Sequence, residues 1–376
     1  MDKRKVFECL LNQFETDEMR NYCADMIEKI PDYIFTIPSS TSFKYHNKTQ
    51  CQPHGQIYHI LMFAEIMQTC VCAHKCNVDC YQKAIERTGN NMSLENFESI
   101  LRQSKGKLFQ CALGGAGDVD THENFEEILK LCREYNIVPN FTTSGILMTK
   151  EKADICKKYC GAVAVSEHFA DYTDKALDLL LDAGVKTNIH YVLSNKSIDI
   201  AIDRLKNNGF KKGINAVVFL LYKPVGLGIE ENVLKMDDER VKEFFSIIDT
   251  GNFDFKIGFD SCTVPALINF THNINQDSFD TCEGGRWSAY ITADMKMLPC
   301  SFDNQDMRWA VDLKTHTIQE AWDSEQFEDF RNHFKNSCGN CDRQCECRGG
   351  CPIRRQIVLC NREEKNLYES SARFCH

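Results

Sequence analysis

From residue 93 to residue 250 the chain alternates two periods, a short apolar or β-branched run and then a longer stretch with apolar residues at helical spacing. Such a rhythm predicts βα units, in which each helix carries the chain back so that the next strand pairs in parallel. Strands are expected at 107–113, 137–143, 162–166, 186–193 and 215–221, with another ahead of them in "IYHILMFAEIM" at 57–67. Helices are expected in the intervals, beginning with "SLENFESILRQ". Ser93 and Asp237 suit N-caps, while Gly184 and Gly209 suit helix ends. The fold class is therefore α/β, a partial (β/α)6 barrel that does not close as the eight-stranded one does. In parallel sheets the ligand site lies at the C-terminal ends of the strands. The unusual residues collect there: a cysteine loop after the first strand, "GGAGD" after the second, "TTSG" after the third and "SEH" after the fourth.

Beyond residue 251 the rhythm stops and short segments, turns and cysteines take over. With few apolar runs, that region needs metal as a staple. The expected organisation is a helical segment at 1–56, the barrel at 57–275 and a small cysteine-rich domain at 276–376. The formal charge of -10 and the absence of a basic, aromatic-interleaved stripe argue against nucleic acid as a partner. No stretch is apolar enough for a membrane span, and "MDKRKVFECLLNQFE" turns acidic before a leader could develop, so the expected location is the cytoplasm.

An odd count of 21 cysteines without a secretory leader speaks for metal or redox chemistry over a disulfide framework. Four lie between Cys70 and Cys80 and nine from Cys282 onward, whereas Cys111, Cys132, Cys156 and Cys160 are scattered and read as buried small hydrophobes. Cysteines with two residues between them, as at Cys338 and Cys341, suit one metal site. Spacing alone leaves zinc and iron-sulfur equally open.

The order Cys282, Cys300, Cys338, Cys341, Cys347, Cys351 and Cys360 resembles the seven-cysteine SPASM pattern that follows a radical S-adenosylmethionine (SAM) barrel. The resemblance implies one auxiliary [4Fe-4S] cluster on Cys338, Cys341, Cys347 and Cys360. Another would sit on Cys282, Cys300 and Cys351, its fourth iron open or held by Cys262. Cys345 matches no family position, and Met295 stands where the family usually has glycine. Near the first strand, Cys72, Cys76 and Cys80 read CxxxCxxxC, one residue longer than the family's CxxxCxxC. Sets using Cys70, or running from Cys76 to Lys83, are the alternatives in this loop. By resemblance, Cys72, Cys76 and Cys80 would hold three irons of a third cluster and leave the fourth for SAM.

"LGGAGD" resembles the family's glycine-rich SAM motif, with Gly114, Gly115 and Gly117 offering backbone and Asp118 near the usual glutamate. Ser144 and Ser166 occupy strand ends where the family contacts SAM. Glu167 and His168 face substrate in one reading and are solvated loop residues in the other. "KPVGLG" follows the sixth strand, where the family places a loop near adenine. The resemblance implies an oxidoreductase that cleaves SAM to a 5'-deoxyadenosyl radical and matures a ribosomally made peptide or small protein. The reaction would be a thioether crosslink, or a sulfatase-maturase-like oxidation to formylglycine, with an electron donor such as flavodoxin or ferredoxin. No catalytic side chain is singled out. A reading from another class is a non-catalytic zinc or Fe-S binding module. The segment 31–67 also resembles the opening of HD-domain phosphohydrolases, with His59 in place, yet the sequence has no adjacent His-Asp pair to ligate metal.

Overall fold

The computed structural model describes residues 33–36, 44–47, 63–70, 72, 76, 78–105, 108, 110–274, 281–335, 341, 343 and 347–360. Tyr33–Thr36 (β1) and Lys44–Asn47 (β2) pair antiparallel, with Tyr33 opposite Asn47. The segment expected to be helical thus contains extended chain, in keeping with the strand preference of Tyr-Ile-Phe-Thr. His59 lies outside the described residues.

Parallel strands follow at Phe63–Thr69 (β3), Gln110–Gly115 (β4), Val138–Thr143 (β5), Ala162–Ser166 (β6), Thr187–Leu193 (β7), Ala216–Leu221 (β8) and Lys256–Phe259 (β9), neighbours in the sheet in chain order. Helices Leu94–Ser104 (α1), Phe125–Glu134 (α2), Lys150–Tyr159 (α3), Asp171–Asp182 (α4), Ile198–Lys206 (α5) and Glu239–Thr250 (α6) come after β3 to β8 in turn. The six expected strands are present. The seventh, β9, is short and partly exposed, so it carries no apolar run by which to be recognised.

The helices form as their spacing predicts. α2 buries Phe125, Ile128, Leu129 and Cys132, one stripe at helical period. Each such side chain removed from water contributes about 1.5–3 kcal/mol. Ser93 caps α1, its side chain accepting from Asn96 N. α6 starts one residue later than expected, with Asp238 rather than Asp237 accepting from Arg240 N. Gly184 closes α4 at φ +72°, but after α5 the left-handed position belongs to Asn208, at φ +50°. Gly209 ends that helix through its N–H, which donates to Arg204 O at 2.8 Å.

The tail continues the sheet. Ser288–Ile291 (β10) runs parallel to β3, with Ser288 opposite Phe63 and Ile291 opposite Ile66. Lys296–Leu298 (β11) and Val311–Asp312 (β12) then add antiparallel. Helices Val264–Phe270 (α7), Ile318–Trp322 (α8) and Glu325–Lys335 (α9) flank these strands in sequence. Tyr290, Ile291, Met297, Leu298 and Val311 enter the same core as the barrel residues. A smaller cluster forms from Cys282, Trp309, Phe330 and Phe334. The tail therefore has an apolar anchorage that its sequence did not suggest.

Met295, in the turn between β10 and β11, takes φ +70°. Its N–H donates to Thr292 O at 3.0 Å and its carbonyl accepts from Leu313 N at 2.8 Å. The turn is thus made with a methionine in a glycine-like conformation. Among the described residues no helix is long and apolar enough to cross a membrane.

Candidate metal and SAM centre

Register places the loops after β3, β4, β5 and β6 side by side, because these strands are successive neighbours. In the first loop, Cys70 is engaged with the segment 88–91. Its N–H donates to Asn91 Oδ1 at 3.1 Å and its Sγ to Thr88 O at 3.6 Å. A Cβ on Gly89 would come within 2.7 Å of that sulfur. Cys76 has Cys72, Cys80 and Asp118 within electrostatic reach. Burial pushes its thiol above the usual range, and the charges of Cys72 and Cys80 add to this. Alongside, Asp79 accepts from Tyr222 Oη at 3.1 Å and from Asn232 Nδ2 at 2.6 Å, which ties the cysteine loop to the loops after β8.

The glycine loop after β4 is shaped by close approach. Gly115 has φ +154°, and a Cβ there would meet Thr69 Oγ1 at 2.2 Å and Thr69 O at 2.4 Å, so no side chain is admitted. At Gly114 a Cβ would meet nothing within 4 Å, which leaves open space at the strand end. Gly117 N–H donates to Thr69 Oγ1 at 3.1 Å. Asp118 accepts from both Ser144 N, at 2.9 Å, and Ser144 Oγ, at 2.5 Å. Two of the expected SAM contacts are thus joined to each other. Ser166 ends β6 opposite His190.

Glu167 is not solvated. Its side chain is 6% exposed and pairs with Arg204, and its Oε1 accepts from Phe169 N. His168 Nδ1 lies 3.0 Å from Tyr172 Oη. The "KPVGLG" loop packs on the cysteine loop. Gly226 takes φ +70°, and a Cβ there would come within 2.5 Å of both Cys80 O and Tyr81 O. Next to it, Leu227 N donates to Cys80 O at 3.0 Å.

A second group of thiols comes together on the tail side. Cys262 is hydrogen-bonded to Cys351, and this contact together with burial holds its thiol well above the usual range. Burial raises the Cys282 thiol to about 12, with Cys262 the next cause. Burial likewise raises Cys300, which feels both Cys282 and Cys262. Cys262, Cys282, Cys300 and Cys351 thus form one neighbourhood drawn from four distant segments. Of the remaining expected ligands, Cys347 is buried and Cys341 and Cys360 are half-buried. Cys338 and Cys345 lie outside the described residues.

The chemistry of these donors fits iron-sulfur clusters. Among the described residues no three His, Cys, Asp or Glu side chains could hold one metal ion together. Thiolates are the usual ligands of such clusters, and cysteines are the donors gathered on both sides.

Four ionisable residues near these centres had no role assigned from sequence, although Lys223 opens the "KPVGLG" loop. Glu65, on β3, is hydrogen-bonded to Ser301, next to Cys300; burial raises its carboxyl to about 6. His190 Nδ1, on β7, lies 3.1 Å from Thr142 Oγ1, and burial lowers its imidazole to about 4. Lys223 and Asp260 pair at 2.5 Å. Strand parity could have flagged Glu65 and His190 as polar residues within apolar runs, but their partners lie far away in sequence.

Residues 282–346 match the profile of SPASM, described as an iron-sulfur cluster-binding domain. No curated protein matches the chain. Among solved structures, Streptococcus suis SuiB bound to precursor peptide SuiA superposes with TM-score 0.64 at 18% identity, covering 81% of this chain and 77% of that one. SuiB bound to S-adenosylmethionine gives TM-score 0.62 at 18% identity, over 78% and 74%. anSMEcpe with bound AdoMet and Cp18Cys peptide gives 0.56 at 19% identity, over 81% and 92%. The chain accordingly shares the fold of these structures over 81% of its length, and carries at residues 282–346 a match to an iron-sulfur cluster-binding domain whose strands continue the same sheet.

Proposed function

We propose that the protein is a radical SAM/SPASM peptide maturase. Cys72, Cys76 and Cys80 would hold three irons of a [4Fe-4S] cluster whose fourth iron is left for SAM. When bound, that cluster supplies the electron that cleaves SAM to a 5'-deoxyadenosyl radical, which abstracts hydrogen from the substrate. The residues of the chain do the positioning. Gly114, Gly115 and Gly117 let backbone approach SAM without a Cβ in the way. Asp118 and Ser144 orient one another at its edge, and Ser166 stands at the next strand end. The observation that supports this reading is that Cys76 has Cys72, Cys80 and Asp118 within electrostatic reach, beside the loops that leave β3 and β4 of a parallel sheet.

Cys262, Cys282, Cys300 and Cys351 would hold one auxiliary cluster, and Cys338, Cys341, Cys347 and Cys360 another. The gathering of Cys262 with three others favours a fully ligated first auxiliary cluster. It would then serve as an electron acceptor for the substrate radical, with no iron open to a substrate thiol. A peptide substrate is supported by SuiB and anSMEcpe, each solved with a peptide bound. Thioether formation remains the leading bond-forming step, oxidation to formylglycine the alternative. A flavodoxin or ferredoxin would deliver the first electron in the cytoplasm.

The test is anaerobic reconstitution followed by reduction with SAM present. The reading expects about twelve irons per chain, four for each of three clusters, and 5'-deoxyadenosine as product. Uptake of zinc with no SAM cleavage would replace it with a non-catalytic metal-binding module.

A further inference from the structure

Lys223 stands just beyond β8 with its side chain 3% exposed. Its Nζ donates to Asp260 Oδ2 at 2.5 Å and to Leu221 O at 2.7 Å, and lies 4.5 Å from the centre of the Phe302 ring. Asp260 is two residues before Cys262, and Phe302 two after Cys300. The ammonium is also within electrostatic reach of Cys262 and Cys351. Burial alone would push Lys223 down, but Asp260 beside it holds it above its ordinary value, so the charge is permanent.

Burying an ammonium is costly, and an apolar residue of similar volume is often as stable or more so. Packing therefore gives no reason for a lysine at this position. The thiol neighbourhood does. Four thiolates and a cluster carry net negative charge, and each electron added makes it more negative. A fixed cation nearby stabilises the reduced state more than the oxidised one.

We propose that Lys223 is a positioning charge that raises the reduction potential of the auxiliary cluster held by Cys262, Cys282, Cys300 and Cys351. This rests on the functional reading above and deepens it: the lysine makes that cluster a better acceptor for the electron left after hydrogen abstraction. Asp260 sets the limit, since it neutralises part of the same charge and fixes where the ammonium points.

The experiment is a potentiometric titration of the reconstituted holoprotein followed by electron paramagnetic resonance. Lys223→Met should lower the midpoint of one auxiliary cluster by about 59 mV, a tenfold change in its oxidised-to-reduced ratio at fixed potential. Asp260→Asn should raise it, and Lys223→Arg should leave it near wild type. The other two midpoints should not move. If Lys223→Met impairs cluster loading, the opposite sign in Asp260→Asn and the retention in Lys223→Arg decide the matter. Three loaded clusters with unmoved midpoints, or equal shifts in Lys223→Met and Lys223→Arg, overturn the inference alone. A wild-type chain that takes up zinc and no iron overturns it together with the functional reading.

Discussion

Gly226→Ala should remove the SAM-binding cluster while leaving the rest of the protein folded. Gly226 has φ +70°, and a Cβ there would lie 2.4 Å from Tyr81 O, 2.5 Å from Cys80 O and 2.6 Å from Tyr81 C. An alanine in the left-handed region costs about 1–2 kcal/mol. The overlap is with backbone, so no rotamer relieves it. The two loops must separate by about 1 Å for an ordinary van der Waals distance to be restored. Separation also breaks the Leu227 N to Cys80 O bond, worth about 1 kcal/mol. The total is about 3 kcal/mol, concentrated on the segment that carries Cys80. Opening the loop locally costs less than unfolding the sheet, so the loss falls on the cluster. The control is Gly213→Ala, where φ is +85° but the nearest atom to a Cβ is 3.9 Å away. That variant bears the backbone strain without the overlap. Iron content and 5'-deoxyadenosine yield after reconstitution are the readouts, with circular dichroism to follow the fold. Gly226→Ala should lose about four of about twelve irons and SAM cleavage, and Gly213→Ala neither. Equal iron and equal cleavage in the two variants would refute the reasoning.

Three further outcomes are expected. Gly115→Ala, whose Cβ would meet Thr69 Oγ1 at 2.2 Å and Thr69 O at 2.4 Å, should bind SAM at least about tenfold more weakly by calorimetry, a loss of about 1.4 kcal/mol. Met295→Gly relieves about 1–2 kcal/mol of backbone strain but forfeits a buried side chain worth about 2–5 kcal/mol, so denaturant unfolding should show a net loss of about 1–3 kcal/mol. Glu65 binds its proton up to about pH 6 in the folded state, against 4.5 as its ordinary value. The folded chain therefore binds more protons than the unfolded one in that window, and this residue makes stability fall as pH rises from 4.5 to 6. Glu65→Gln should remove about 2 kcal/mol of that fall, read as the difference between variant and wild type at about pH 4.5 and about pH 7. A parallel pH dependence in the two proteins would contradict it.

The barrel was legible because its strands are apolar runs bounded by helical periods; β6 falls at the expected residues, Ala162–Ser166. β9 was not, since four residues with an exposed lysine at the start leave no run to see. At the helix ends Ser93 and Gly184 stand where they were expected, while the cap of α6 slipped by one, to Asp238 from Asp237. Asn208 took the left-handed role expected of a glycine because a short polar side chain tolerates that conformation too. Cys111 and Cys132 are fully buried with their sulfurs 3.7 Å apart, in keeping with small apolar fillers of the wall between sheet and helices. The cysteine motifs were visible as spacings. The charges around them were not: Lys223 meets Asp260 only after a helix intervenes, and Glu65 meets Ser301 only because β10 pairs with β3. Such pairings follow from topology, and no local pattern announces them.

The central claim is that Cys72, Cys76 and Cys80 share one cluster in spite of the additional residue between the last two. Replacing all three with alanine and counting iron after anaerobic reconstitution tests it directly. The account predicts a fall from about twelve irons to about eight, with no 5'-deoxyadenosine formed. Retention of all the iron, or SAM cleavage at the wild-type rate, would contradict it.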